Sequence, residues 1–185
     1  MPFAGDSPHG GEVMKTKAWI TIIGFVVLLV FATISLAGAK TVTEKGRTVY
    51  HMVKVEVIPV GDIPGHIVGV ADARGLTFVE NGDVATYLNR ILFDFTNGTG
   101  PHWGYGVTTF PDGSTMVIKF EGTTTALEGG ASSFKGTYIY VGGTGRFEGV
   151  QGKASYTGKR AAPMSPGGPA DSYSDYIATY TIPSQ

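Results

Sequence analysis

The chain has 185 residues, 42% of them hydrophobic and 16% charged, with a formal net charge of -1. One domain is the natural count for that length, and the near-neutral balance excludes both a basic field for nucleic acid and a polyelectrolyte tail. Cysteine is absent, so an oxidising compartment would add no disulfide to the fold.

Residues 1–13 carry Pro2, Asp6, Pro8 and paired glycines with no apolar periodicity, which suggests a mis-assigned or disordered N-terminus and a true start at Met14. From there Lys15 and Lys17 precede an uncharged run from Ala18 to Ala39, and Ala37-Gly38-Ala39 offers small residues at the spacing a signal peptidase accepts. Residues 14–39 therefore read as an export signal cleaved after Ala39, giving a secreted or periplasmic product. The run is also about as long as a bilayer-spanning helix requires, so an uncleaved anchor is the alternative, and the membrane is expected as a partner only through it.

Residues 40–185 show no helix-length stretch with a 3.6 period and read as all β. Thr48 to Ile58 alternates, placing Val49, His51, Val53, Val55 and Val57 on one face and Tyr50, Met52, Lys54 and Glu56 on the other. Residues 65–71 and 74–80 make a further strand region, ended by the turn residues Asn81-Gly82-Asp83. Val84 to Thr96 is a long strand with apolar residues on both faces, stopped at Asn97-Gly98-Thr99-Gly100-Pro101. Trp103 to Phe110 and Ser114 to Thr124 form a hairpin about Pro111-Asp112-Gly113, where a preset φ meets a glycine that tolerates the left-handed region. Phe134 to Val141 and Val150 to Gly158 make another hairpin. An irregular, proline- and glycine-rich stretch from Lys159 to Asp171 then leads to a last strand, Tyr173 to Ile182. About eight antiparallel strands result, which can stack as a sandwich or close into a barrel; closure removes the exposed edges that recruit other chains.

The turn between residues 141 and 150 is dense in glycine. A phosphate-cradling loop must open a helix, and a Walker loop needs Lys-Ser/Thr after it. Neither condition holds, because Val150, Gly152, Ala154 and Tyr156 alternate with Gln151, Lys153, Ser155 and Thr157 as in a strand. A structural role fits better: Gly142, Gly143, Gly145, Gly149 and Gly152 shape the turn and its bulges while Phe147 plugs one end of the fold.

Catalytic patterns are sparse. His51, His66 and His102 fall in separate segments with no close ligand pair, so no metal is expected. No Gly-x-Ser-x-Gly elbow is present. The acids, among them Asp62, Asp83, Asp112 and Glu148, mostly flank turns, where they cap loops. Asn97-Gly98-Thr99 satisfies a glycosylation pattern but equally makes a hairpin turn.

The segment Gly142-Gly-Thr-Gly-Arg-Phe-Glu-Gly-Val-Gln-Gly152 resembles a stretch shared by allene oxide cyclases and, more loosely, dirigent proteins, both small antiparallel β-barrels. A second echo of the cyclases is Gly82-Asp-Val-Ala-Thr-Tyr-Leu-Asn-Arg90. The resemblance covers residues 50 to 160. It implies a closed eight-stranded barrel and a homotrimer, and it brings candidate site residues: Asn89 matches a water-holding asparagine, Pro64 a proline, and Glu56 stands one residue from a glutamate. Ile63 replaces the family's serine, and its pocket cysteine and early asparagine have no counterpart, so the set that positions water on an allene oxide is incomplete. The expectation is an exported barrel that binds a small apolar or aromatic ligand without catalysis or cofactor. The alternatives are an allene oxide cyclase-like isomerase, a dirigent-like protein orienting phenolic radicals, and a structural, self-assembling block.

Overall fold

The computed structural model describes residues 38–162 and 171–184. The expected extra N-terminus (1–13), the export segment up to residue 37 and most of the stretch expected as a loop (163–170) lie outside the described residues. Eight strands follow in order: β1 (Lys40–Pro59), β2 (His66–Val79), β3 (Val84–Thr96), β4 (Gly100–Thr109), β5 (Thr115–Ala126), β6 (Ser132–Thr144), β7 (Gln151–Arg160) and β8 (Asp171–Ile182). Each pairs antiparallel with the next, and β8 returns to β1 from Lys40↔Ile182 to His51↔Asp171, closing the barrel. The two stretches read from sequence as 65–71 and 74–80 are one continuous strand, β2, whose Asp72 and Ala73 stay in register with Arg90 and Asn89 of β3.

Turn chemistry sets that register. Asn97 and Gly98 adopt φ of 51° and 77°, and Thr96 and Thr99 exchange backbone hydrogen bonds of 2.9 and 3.1 Å around them. This is the two-residue hairpin that an Asn-Gly pair favours, because both residues accept positive φ and the resulting twist suits the strands. At the β4–β5 turn the Asp112 carboxylate accepts the Ser114 N–H at 2.9 Å and Gly113 takes φ 82°.

The alternation along β1 is broken. Met52 pairs with Ala73 and Lys54 with Asp72, so Val53 has no partner and the strand carries a bulge there. One extra residue exchanges the faces. Before it Tyr50 and Met52 are buried while Val49, His51 and Val53 are exposed; after it Val55 is buried while Lys54 and Glu56 are exposed. The single valine face expected from the sequence is therefore split between outside and inside.

The interior is filled by rings laid over glycines. A Cβ added to Gly158 would overlap the Phe134 ring, one at Gly75 would meet Tyr50, one at Gly106 Tyr87, and one at Gly152 Tyr180. These glycines sit at inward positions of their strands, so each removes a side chain where a neighbouring strand delivers an aromatic.

One end of the barrel collects the β2–β3, β4–β5 and β6–β7 turns. There Phe147, in a short 3-10 turn (Gly145–Phe147), is buried against Phe110 with ring centroids 4.7 Å apart. The Arg146 guanidinium lies 4.7 and 4.9 Å from the centroids of the Phe110 and Phe147 rings and reaches Asp83 at 2.7 Å. The Arg146 N–H donates to the Ser114 hydroxyl at 3.1 Å, which ties the turn to β5.

The ring-over-glycine arrangement makes a sharp prediction. Gly158→Ala should lower stability by about 1–3 kcal/mol through overpacking, whereas Gly142→Ala, whose new methyl meets nothing within 4 Å, should stay within about 0.5 kcal/mol. Urea denaturation of both variants checks this; equal losses would remove ring packing as the reason for the inward glycines.

Candidate functional site

Between the closed end and the opposite rim lies an interior cavity of about 100 Å³, counted as space open to the centre of a water molecule. Its wall is mainly aromatic, with Tyr50, Tyr87, Phe93, Phe120, Tyr138 and Tyr156 among the lining side chains, and it is interrupted by a few polar groups: Asn89, His102, Arg160 and Ser172.

His102 enters from β4 over Gly122, where a Cβ would meet its ring. The Tyr156 hydroxyl donates to the Glu121 carbonyl at 3.2 Å, which leaves its oxygen to accept the Nε2–H of His102 at 2.7 Å. Nδ1 then accepts from the Thr124 hydroxyl at 3.0 Å, fixing one tautomer with both nitrogens satisfied. Burial, with a smaller contribution from the Arg160 cation, pushes His102 down to about 4. The imidazole is thus neutral near pH 7 and a weak base. Burial likewise raises the phenols of Tyr50, Tyr87, Tyr138 and Tyr156 above the ordinary tyrosine range, so they act as hydrogen-bond donors and not as phenolates.

Arg160 ends β7. Alternation from Ala154 through Tyr156 and Gly158 turns its side chain inward, leaving it 7% exposed. Its Nε donates to the Ala162 carbonyl at 3.0 Å. Desolvation lowers its pKa, but a guanidinium does not lose its proton in a protein, so the cation remains. Ser132 and Ser172 stand directly across from it on β6 and β8.

Asn89, on β3, is 6% exposed, and its Oδ1, like the Ser132 hydroxyl, has no hydrogen-bond partner among the described residues; the Ser172 hydroxyl lies in hydrogen-bond reach of the Tyr50 phenol oxygen. Of the three residues suggested by resemblance, Asn89 alone faces the cavity. Glu56 is on the outer surface, 2.7 Å from the Lys54 ammonium, and Pro64 is exposed in the β1–β2 loop. The structure does not bring the three together. Gly142, Gly143 and Gly152 lie on β6 and β7, and Gly145, Phe147 and Gly149 in the turn between them. His51 points outward to Asp171 at 2.8 Å, while His66 bridges Asp62 and Asp94 at 2.6 and 2.8 Å on the rim. No group of three metal-ligating side chains occurs among the described residues.

His102 and Arg160 were missed by sequence reasoning. For Arg160 a signal existed, since continuing the β7 alternation two steps past Tyr156 and one past Gly158 puts it inside. For His102 the only cue was its place between Gly100 and Gly104 in an inward-facing row.

No protein-family model matches the chain, and no curated protein does. Among solved structures, two pterocarpan synthase dirigent proteins are similar to it. The first is 15% identical, with a TM-score of 0.45 over 79% of this chain and 90% of that chain. The second is 14% identical, with a TM-score of 0.41 over 79% of this chain and 97% of that chain.

The neutral imidazole has a measurable consequence. An unfolded chain binds a proton at a histidine near pH 6.5 while folded His102 waits until about 4. Stability should therefore fall as pH drops through that window, by on the order of 3 kcal/mol from this group, and the loss should level off below it. Carboxylates titrate in the same range, so the readout is the difference between wild type and His102→Gln in urea denaturation at pH 7 and pH 4.5. The variant should lose less on acidification; an identical loss would show that His102 is not held neutral.

Proposed function

We propose that the barrel binds one small apolar or aromatic molecule in its interior and holds it without chemical change. The observation that carries this reading is the aromatic cavity in the barrel interior, with the buried Asn89 Oδ1 on its wall left without a hydrogen-bond partner among the described residues. An apolar wall with a few convergent polar groups is the usual construction of a small-molecule site, and a buried hydroxyl or amide oxygen without a partner costs about 1–3 kcal/mol unless water or a ligand meets it.

The isomerase alternative would need a base or a positioned water. His102 is a weak base in this setting, and Asn89 is the only member of the cyclase-like trio at the cavity. A dirigent-like role, with two phenolic radicals oriented side by side, also suits the aromatic wall. Self-association has its own supporting observation: Val70, Leu92 and Trp103 form an exposed apolar row across β2, β3 and β4. Export remains part of the proposal, resting on Lys15, Lys17 and the uncharged run behind them.

Calorimetric titration of the full chain with cinnamyl alcohol tests the reading. Saturable one-to-one binding is expected, and Ile118→Trp, which places a larger ring on the cavity wall, should weaken it severalfold while the β-sheet circular dichroism persists. Unaltered affinity in that variant would place the ligand elsewhere. Coupling of coniferyl alcohol radicals by an added one-electron oxidant provides the second arm, and a racemic product with and without the protein would exclude the dirigent-like role.

A further inference from the structure

Arg160 is a buried cation for which the described residues supply no carboxylate. Its one described hydrogen bond runs from Nε to a backbone carbonyl, and none of the ion pairs among the described residues includes it. The other acid that turns inward is Glu44. Its two oxygens accept hydrogen bonds from the Tyr176 and Tyr180 hydroxyls at 2.9 and 3.0 Å. It stands opposite Ala178 of β8, whereas Arg160 stands opposite Ser172; at about 3.3 Å per residue that places the two roughly 20 Å apart along the strand. Glu44 therefore does not neutralise Arg160.

A guanidinium held in low dielectric without a counter-charge is costly, and arginine cannot escape by deprotonating. The groups around it are of one kind. Ser132 and Ser172, directly across on the neighbouring strands, share its face at about 5 Å between Cβ atoms; the buried Ser132 hydroxyl has no partner among the described residues, and the Ser172 hydroxyl has only the Tyr50 phenol oxygen beside it. Ser172 and Arg160 line the aromatic cavity together with Asn89. Hydroxyl donors beside a forked cation are what a carboxylate or other oxyanion accepts from. Beyond them the wall is rings.

We propose that the ligand of this cavity is an apolar, ring-sized monocarboxylate whose head group pairs with Arg160 and Ser172 and whose body lies among the aromatic side chains. This inference rests on the binding reading above and specifies its chemistry. One fixed cation with no second one beside it matches a single negative charge better than a dianionic phosphate, and the cavity volume matches a phenylpropanoid-sized acid better than a long-chain fatty acid.

Titration of the full chain at pH 7 with 3-phenylpropanoate and with its neutral counterpart, 3-phenylpropanol, separates head group from body. The acid is expected to bind at least about tenfold more tightly, as a charge-assisted bidentate pair requires. In Arg160→Met the ratio of acid to alcohol affinity should fall to near one. In the wild type, where folding is not in question, the acid should shift the Arg160 Nε–H resonance and the alcohol should not. Equal binding of acid and alcohol, a preference that survives in Arg160→Met, or an Arg160 resonance indifferent to the acid would overturn the carboxylate assignment while leaving an apolar binder standing. Binding of neither compound would overturn both.

Discussion

The structure depends on one steric constraint: an eight-stranded barrel is wide enough only for packed side chains or one small ligand, and this one lines itself with rings. Space for those rings comes from glycines placed inward on the adjacent strand, where any Cβ would collide with the aromatic or with backbone. Tyr87 over Gly106 and Phe134 over Gly158 show the arrangement, and both rings also line the cavity. The glycines thus supply volume where the strands need it, quite apart from the positive φ that Gly98 and Gly113 provide at the turns.

Two arginines at opposite ends show how similar side chains take different parts. Arg146 is half-exposed, pairs with Asp83, and covers the Phe110 and Phe147 rings. Its charge is answered and solvated, and it serves as a clasp on the closed end. Arg160 is buried, donates to the Ala162 carbonyl among the described residues, and lines an aromatic space beside Ser132 and Ser172. The contrast in counter-charge, more than burial alone, separates this packing residue from the one proposed above to meet a ligand.

Much of the fold was legible in the sequence because its strands are bounded by turns with strong local preferences. Asn97-Gly98 and Pro111-Asp112-Gly113 fix their hairpins through residues whose φ is preset, so the neighbouring strands could be placed within a few positions. The bulge at Val53 was not legible. Nothing in a Val-x-Val alternation marks the residue that loses its partner, and that one residue decides whether Glu56 faces inside or out. The site was less legible still. Asn89 was found through resemblance, whereas His102 and Arg160 become significant only when the barrel closes and brings β4 and β7 to the same interior.

The interior chemistry then separates holding from transforming. A proton-transfer site needs a base whose affinity for protons is near that of the solution, and the buried groups here are pushed away from that range in both directions: the imidazole down to about 4, the phenols up. Glu44 is occupied by two tyrosine hydroxyls far from Arg160. What is left facing the cavity is a set of donors, one permanent cation and aromatic surface. In the binding reading proposed above, such a lining serves to hold an anion and its rings. The same desolvation that weakens His102 as a base strengthens the attraction that the proposed reading assigns to Arg160 for a carboxylate, so one physical cause acts on both groups in opposite senses.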